Sequence, residues 1–128
     1  MAKKVLLINK LSPASVIPAL LKHAGYEVYE AFDSDSGLRE LGSQSYDLII
    51  LLESAAAESW VTCGKIRSLV TTPFIVISSG ASPETCVKAI NAGADFFIRK
   101  PFGPMEFLAR ITALFQRLPV NQPVPLPS

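Results

Sequence analysis

Short apolar segments alternate along the chain with segments in which apolar residues recur every three or four positions. The first kind is typical of strands buried on both faces, and the second of helices that cover a sheet. This alternation repeats five times, so we predict a (βα)5 fold, a doubly wound α/β domain with a parallel five-stranded sheet. The predicted strands are 5–8, 26–31, 47–52, 73–78 and 94–99. The predicted helices are 13–24, 33–42, 60–70, 82–92 and 103–118.

The first predicted helix contains a proline that conflicts with its pattern. Ser12 followed by Pro13 is typical of a helix start, with the proline at the first helical position. Pro18 lies one turn further on, where proline removes a backbone hydrogen bond and crowds the preceding turn. We therefore expect a kink at Pro18 or a helix that begins later than Pro13.

The composition changes after the last predicted helix. Residues 119–128 contain four prolines and no charged side chain. Such a segment favours an extended, semi-rigid conformation and cannot contribute much to a packed core. We therefore predict one domain at 1–118 and a Pro-rich linker or tail at 119–128.

Overall composition excludes several classes of function. The chain has 128 residues, 49% of them hydrophobic, and a net charge of +1. That balance argues against direct binding of nucleic acid or of anionic membranes. The apolar run at 5–8 is too short for a signal peptide, and no run of eighteen apolar residues follows. We expect a cytoplasmic protein.

Metal and catalytic motifs are missing from the sequence. Cys63 and Cys86 are too far apart for a CxxC motif and accompany a single histidine, His23, so neither a metal site nor a cofactor is predicted. We expect both cysteines to be reduced and half-buried. The serines lack a Gly-x-Ser-x-Gly elbow, and His23 lies on the wrong helix to assist them. No enzyme activity is therefore expected.

Four segments carry a resemblance to a known family. These are GADFFIRKPF at 93–102, EFLARI at 106–111, GYEV at 25–28 and YDLII at 46–50. Together they resemble the receiver domain of two-component response regulators, across nearly all of the chain before the proline-rich segment. The resemblance implies a flavodoxin-like receiver fold and a role in phosphorelay signal transduction.

The phosphorylation site that this resemblance implies is degenerate. Receivers hold Mg²⁺ with two acidic residues after the first strand, transfer the phosphoryl group to an aspartate, and use a hydroxyl and a lysine to bind it. The resemblance places these roles, in that order, at Asn9, Lys10, Leu52, Ser78 and Lys100. Leucine cannot attack phosphorus, and a lysine stands where a metal ligand belongs. The chain therefore resembles an atypical receiver, or pseudo-receiver, that lacks the phosphoacceptor aspartate.

Glu53 follows the altered acceptor position and leaves three interpretations open. Its carboxylate could pair with Lys100 and hold the domain in a state like the phosphorylated one. It could instead be a solvated loop carboxylate. As the acceptor itself it is less favoured, because a one-residue shift would turn Leu52 to the other face of the strand.

Further residues are assigned roles by the same resemblance. Phe97 takes the place of the switch aromatic, and we expect it to point inward. Lys88, Asp95, Glu106 and Arg110 occupy positions that form ion pairs between subunits in winged-helix regulators. Phe96 replaces a second acid there, and as an exposed aromatic it would strengthen a homodimer through the fourth helix, fifth strand and fifth helix. The alternative is that these charges form an ordinary solvated face.

The sequence thus predicts a phosphorylation-independent dimerisation or docking module for signal transduction. The resemblance implies a DNA-binding output domain outside this chain, and hence transcription regulation. One alternative is a receiver that accepts phosphate on Glu53 or Ser78. Another is a sensor that binds an anion or small molecule among Asn9, Lys10, Ser78 and Lys100.

Overall fold

The computed structural model describes residues 2–11, 16–54, 58–79, 82–100 and 103–117, with backbone only at Lys100 and Arg117. Five parallel strands form one sheet in the order β2-β1-β3-β4-β5. The strands are β1 (Lys4–Asn9), β2 (Glu27–Ala31), β3 (Leu48–Glu53), β4 (Phe74–Ser79) and β5 (Phe96–Lys100). The helices are α1 (Ile17–His23), α2 (Ser34–Ser43), α3 (Ser59–Leu69), α4 (Pro83–Asn91) and α5 (Pro104–Arg117). The predicted doubly wound fold is confirmed; the predicted linker at 119–128 lies outside the described residues.

Alternate side chains of the strands fill two hydrophobic clusters, one on each face of the sheet. The first cluster is covered by α1 and α5, and its buried members are Val5, Leu7, Ile17, Leu21, Leu48, Ile50, Leu52, Ile75, Ile77, Ile98, Phe107, Ile111 and Leu114. The second is covered by α2, α3 and α4, and its buried members are Leu6, Ile8, Ala31, Leu41, Tyr46, Ile49, Leu51, Cys63, Ile66, Phe74, Val76, Ala89 and Ala94. A strand residue's parity therefore decides which face receives its side chain.

The first helix begins one residue before Pro18. Helix α1 starts at Ile17 and carries Pro18 in its first turn, where the missing N–H leaves no intrahelical bond unmade. The expectation of a late start is therefore correct. The predicted start at Ser12 and Pro13 lies outside the described residues.

Strand β3 is shifted towards its carboxyl end relative to the prediction and includes Glu53. Two contacts extend it. The Lys10 N–H donates to the Leu52 carbonyl at 3.0 Å, and Glu53 lies in register with Ser78 of β4. Glu53 is therefore a strand residue with a set side-chain direction, and the interpretation of it as a loop residue is wrong.

Arg67, near the end of α3, joins the amino ends of β4 and β5. Its guanidinium donates to the carbonyls of Gly93, Val70 and Thr72 and to the Asp95 carboxylate. Gly93 has φ of +130°, and a Cβ atom there would lie 2.8 Å from the Arg67 Cβ. Only glycine satisfies both the backbone angle and this close approach.

Candidate functional site

Three polar side chains lie side by side where the strands end. Lys10 follows β1, Glu53 ends β3, and Ser78 lies near the end of β4. Glu53 and Ser78 are paired in register, and the backbone of Lys10 continues the pairing of β1 with β3. By parity with Leu51 and Val76, all three project from the face that α3 covers.

Glu53 and Lys10 form an ion pair across β1 and β3. The Lys10 Nζ lies 2.5 Å from the Glu53 Oε1, with side-chain exposures of 29% for Lys10 and 1% for Glu53. A buried carboxylate is stable only with a cation or strong donors beside it, and here the cation comes from the neighbouring strand. The interpretation of Glu53 as a solvated carboxylate is therefore wrong. Its partner is Lys10, whereas the Lys100 side chain lies outside the described residues.

Buried oxygens beside this pair lack a hydrogen-bond partner among the residues that the structure describes. They are the second carboxylate oxygen of Glu53 and the hydroxyls of Ser59 and Ser78. Ser59 is the first residue of α3, and Ser78 is 2% exposed. Burying a polar group without a hydrogen-bond partner costs free energy. The other buried side chains of the described interior are apolar or hydrogen-bonded, so the unpaired oxygens distinguish this edge.

Cys63 lies one helical turn after Ser59 and responds to the Glu53 charge. Burial first, and then the charge of the neighbouring Glu53 carboxylate, raise the pKa of the Cys63 thiol to about 12. The thiol is fully buried, not half-buried as expected. Cys63 is therefore a protonated, unreactive packing residue that reports on the charge of Glu53.

Asn9 and Leu52 project to the opposite face from Lys10 and Glu53. They lie in register, and both are buried. The Asn9 Oδ1 accepts a hydrogen bond from the Leu11 N–H at 3.2 Å, while Leu52 packs fully within the first cluster. Full burial of a leucine side chain contributes about 1.5–3 kcal/mol, so Leu52 is a core residue in its own right.

Comparison with known proteins identifies the family. Residues 12–112 match the model of the response regulator receiver domain. The chain belongs to this family. This receiver domain is also 35% identical over 120 residues to the response regulator ArlR of Staphylococcus saprophyticus, a match that covers 93% of this chain and 54% of that protein. It spans about half the length of the curated relatives it matches.

Solved structures show the same fold. A two-component response regulator from Clostridium difficile superposes with a TM-score of 0.80 at 24% identity, covering 90% of this chain and 97% of that one. The receiver domain of a sensor histidine kinase from Pseudomonas aeruginosa superposes with a TM-score of 0.74 at 23% identity, covering 88% and 97%. The latter structure holds a magnesium ion in its active site cleft.

In the part of the chain that the structure describes, the carboxyl end of the sheet at Lys10 and Glu53 does not offer a set of ligands that fits Mg²⁺. The ion prefers several oxygen ligands in octahedral geometry, usually including carboxylates. Here Glu53 supplies the carboxylate, and the Lys10 ammonium already occupies one of its oxygens. Among the described residues, no three His, Cys, Asp or Glu side chains converge on one point. A divalent cation would have to displace the ammonium and would then lie beside it.

Phe97 of this receiver domain is half-buried. It lies in register with Val76 and packs against the second cluster. An inward position is what packing alone favours, because the face of the sheet beneath α3 and α4 is apolar. Its function as a switch stays a prediction.

Charged residues predicted for the dimer face have partners within the chain. Glu106 and Arg110 pair along α5 at 3.2 Å, and the Lys88 Nζ lies 4.6 Å from the centre of the Trp60 ring. Asp95 accepts hydrogen bonds from the Phe74 N–H and from Arg67. The Asp95 carboxylate therefore links β4, the start of β5 and α3 within the chain.

Phe96 differs from its predicted place on that face. It is half-buried and packs against the first cluster, so it is less exposed than expected. Apolar exposure comes instead from Val87 and Ile90 of α4 and Met105 of α5, which are 57%, 40% and 78% exposed. The spacing of Val87 and Ile90 along α4 is the sequence signal that would have revealed them.

Proposed function

We propose that this chain is a pseudo-receiver, a receiver domain that regulates through protein contacts and does not accept a phosphoryl group. The observation that carries this proposal is the ion pair between the partly solvated Lys10 and the buried carboxylate of Glu53. It places an ammonium group at the edge of the sheet where the family's resemblance assigns a metal ion. The positive charge thus belongs to a side chain of the protein, and it does not bind and dissociate as a metal ion would.

The position assigned to the nucleophile supports the same proposal. Leu52 has no atom that can attack phosphorus, and its side chain is fully buried beneath α1 and α5. Glu53 and Ser78 carry oxygen atoms, but they are 0% and 2% exposed. In-line attack needs the donor phosphorus close to the attacking oxygen, so acceptance at either residue would first require the edge to open.

The anion-sensing alternative loses support from the ion pair. It needs cations at the edge, and of the two lysines assigned to it Lys10 is paired with Glu53, while the Lys100 side chain lies outside the described residues. The buried Glu53 charge would also repel an incoming anion. The proposal therefore retains protein contact, and not ligand binding at this edge, as the regulatory event.

We further propose that the contact surface is the face formed by α4, β5 and α5. Val87, Ile90 and Met105 provide exposed apolar area on α4 and α5, and Glu106 and Arg110 add charge on α5, whereas the Lys88 ammonium lies over the Trp60 ring of α3. Apolar groups favour association, and charges of both signs select one register. Phe96 and Asp95 support this face from β5 by packing and by holding the strand start.

An output domain outside this chain completes the proposal. The match to ArlR covers 54% of that response regulator, which leaves room for a second unit in the relatives. We propose a DNA-binding output domain, with transcription regulation governed by dimerisation or docking of the receiver. A partner protein or the abundance of the chain, and not a histidine kinase, would then set activity.

The phosphorylation test compares native chain with a restored variant. Both are incubated with acetyl phosphate and Mg²⁺, and labelling is read by intact mass. We expect no phosphoryl adduct on the native chain, and an adduct on the variant Asn9→Asp, Lys10→Asp, Leu52→Asp, Glu53→Leu. The matched control is Lys10→Met with Glu53→Leu, which removes the ion pair without adding carboxylates and should stay unlabelled. Labelling of the native chain would refute the proposal.

The contact surface is tested separately by sedimentation velocity. We expect a dimer whose proportion does not change on adding beryllofluoride and Mg²⁺. Val87→Glu and Arg110→Glu should shift the chain towards monomer. Val61→Glu is the matched control, because Val61 is 46% exposed but lies on α3, outside this face. A native monomer, or a loss of dimer in the control alone, would contradict the proposed surface.

A further inference from the structure

A shallow groove lies at the amino end of the sheet, opposite the Lys10–Glu53 edge. It is formed where the start of the chain, the end of α1 and the last turns of α5 meet, and its volume is about 460 Å³. Its principal residues are Lys3, Gly25, Tyr26, Thr112, Phe115 and Gln116, which we call the aromatic groove. The proposed function makes no use of this surface.

Two stacked aromatic rings form the floor of the aromatic groove. The ring centres of Tyr26 and Phe115 are 5.8 Å apart, and the planes are inclined by 25°. The Lys3 Nζ lies 5.0 Å from the centre of the Phe115 ring. Both rings pack against the first cluster while remaining partly exposed. They therefore present partly exposed aromatic area, of the kind found in surfaces that bind extended proline-rich segments.

The rim of the groove supplies hydrogen-bond donors. The Lys3 ammonium, the Tyr26 hydroxyl and the Gln116 amide are all on groove residues. A polyproline II segment has no internal hydrogen bonds and exposes its carbonyl oxygens, so it needs donors of this kind from the surface that binds it. The groove therefore offers both an apolar floor and complementary polar groups.

We propose that the aromatic groove binds residues 119–128 of the same chain, the proline-rich segment that follows α5. Pro123, Pro125 and Pro127 alternate with Val124, Leu126 and Ser128, a composition that favours polyproline II and presents apolar side chains. The segment carries no charged side chain, as suits an apolar floor.

Chain geometry favours this occupant over a separate molecule. Helix α5 ends at Arg117, directly after the groove residue Gln116, so the segment starts at the rim. Residues 118–128 can extend about 30 Å as polyproline II, which is enough to turn back across the two rings. Tethering also gives the segment an effective concentration in the millimolar range, so weak contacts suffice. The bound segment would hold the chain that leaves α5 against the domain.

Amide ¹⁵N relaxation of the full chain tests this proposal. We expect order parameters for Val124 and Leu126 near the rigid value of about 0.85, falling below about 0.6 in the variant Tyr26→Ala. The full-chain variant Pro123→Ala, Pro125→Ala, Pro127→Ala should produce the same loss without altering any groove residue, and it stays informative if Tyr26→Ala fails to fold. Ser68→Ala, in a separate surface concavity of α3, is the matched control and should change nothing.

Each alternative gives a distinct result. Order parameters below about 0.6 in the native chain would overturn the proposal. Order that persists in both the Tyr26 and the triple-proline variants would place the segment elsewhere and would also overturn it. Order that disappears on dilution would assign the groove to the segment of a second copy. None of these outcomes depends on whether the chain accepts phosphate.

Discussion

Two ion pairs, Lys10–Glu53 near the start of α3 and Arg67–Asp95 near its end, use a cation in different ways. The Lys10 and Arg67 side chains are each 29% exposed, and each pairs with a carboxylate. Arg67 also satisfies the carbonyls of Gly93, Val70 and Thr72, and its Asp95 partner is 38% exposed. The Lys10–Glu53 pair has a nearly fully buried carboxylate whose second oxygen lacks a partner among the described residues. The Arg67–Asp95 pair joins neighbouring segments of backbone. The Lys10–Glu53 pair leaves one buried carboxylate oxygen without a hydrogen-bond partner in the part of the chain that the structure describes.

This difference separates an ion pair whose surroundings are satisfied from one that lies beside buried oxygens without a partner among the described residues. The Arg67 guanidinium donates to three backbone carbonyls that lie between helices and strands. These carbonyls need hydrogen-bond donors, so each bond has a structural role. At Lys10, the pair replaces nothing that the core requires, since apolar side chains of similar volume could fill the space at equal or lower cost.

The largest expected effect comes from removing Lys10 alone. Lys10→Met should lower the free energy of unfolding by about 3 kcal/mol, the lower end of the range for buried pairs because Lys10 stays partly solvated. The cost arises because the Glu53 charge is left buried without a cation. Urea unfolding measures it, and Lys10→Met with Glu53→Leu should recover most of the loss. A single-variant loss below about 1 kcal/mol would mean that the pair behaves like a surface ion pair.

A somewhat smaller effect is expected at the other pair. Arg67→Lys should cost about 2 kcal/mol, because lysine keeps the charge but loses the planar fork that reaches several carbonyls. Urea unfolding again gives the value. Arg39→Lys serves as the control, since Arg39 is exposed and donates a hydrogen bond to the Ser36 hydroxyl at 3.2 Å. Equal losses of unfolding free energy in the Arg67→Lys and Arg39→Lys variants would show that the several hydrogen bonds of Arg67 add nothing to stability.

The buried Cys63 thiol beside Glu53 makes the stability of the chain depend on pH. Its pKa is raised from 9.0 to about 12 on folding, so the folded state binds its proton more tightly than the unfolded state. The associated stability is fully present below pH 9 and is lost as the pH rises towards 12. The native chain should therefore lose stability more steeply in alkali than Cys63→Ala.

The charge of Glu53 is tested by the same thiol. Glu53→Gln should lower the Cys63 pKa, because the carboxylate is one cause of the shift. The measurement is the absorbance of the thiolate as a function of pH, in a Cys86→Ser background that leaves one thiol. An unchanged pKa would show that the Glu53 charge does not act on this part of the core.

The smallest stability effect is expected for the exposed pair on α5. Glu106 and Arg110 are 54% and 50% exposed and form an i,i+4 pair. Arg110→Ala should cost about 0.3–0.5 kcal/mol in urea unfolding. The same value for Lys10→Ala would contradict the contrast between buried and exposed pairs.

Sequence patterns predicted the fold well because the strands and helices follow simple periodicities. The continuous apolar runs of β1, β3 and β4 locate the sheet, and Gly25 and Gly93, both with positive φ, end two helical segments. The position of α1 was ambiguous because Pro13 and Pro18 favour different starts, and packing of Ile17 and Leu21 accompanies the later one.

The site was only partly predictable. The resemblance brought Asn9, Lys10, Leu52 and Ser78 to one edge, and the register places them there. It could not reveal that Glu53 belongs to β3, because a polar residue at a strand end has the same sequence signature as the first loop residue. The pairing of Glu53 with Lys10 follows from register between strands far apart in sequence, which local patterns do not contain.

The most direct test of the central claim is a calorimetric titration of the native chain with Mg²⁺ at millimolar concentration. We expect no saturable binding, because the Lys10 ammonium already neutralises Glu53. The variant Asn9→Asp, Lys10→Asp, Leu52→Asp, Glu53→Leu should bind the ion and shows that the assay detects it. Saturable binding of Mg²⁺ by the native chain would contradict the claim that a lysine has taken the place of the metal.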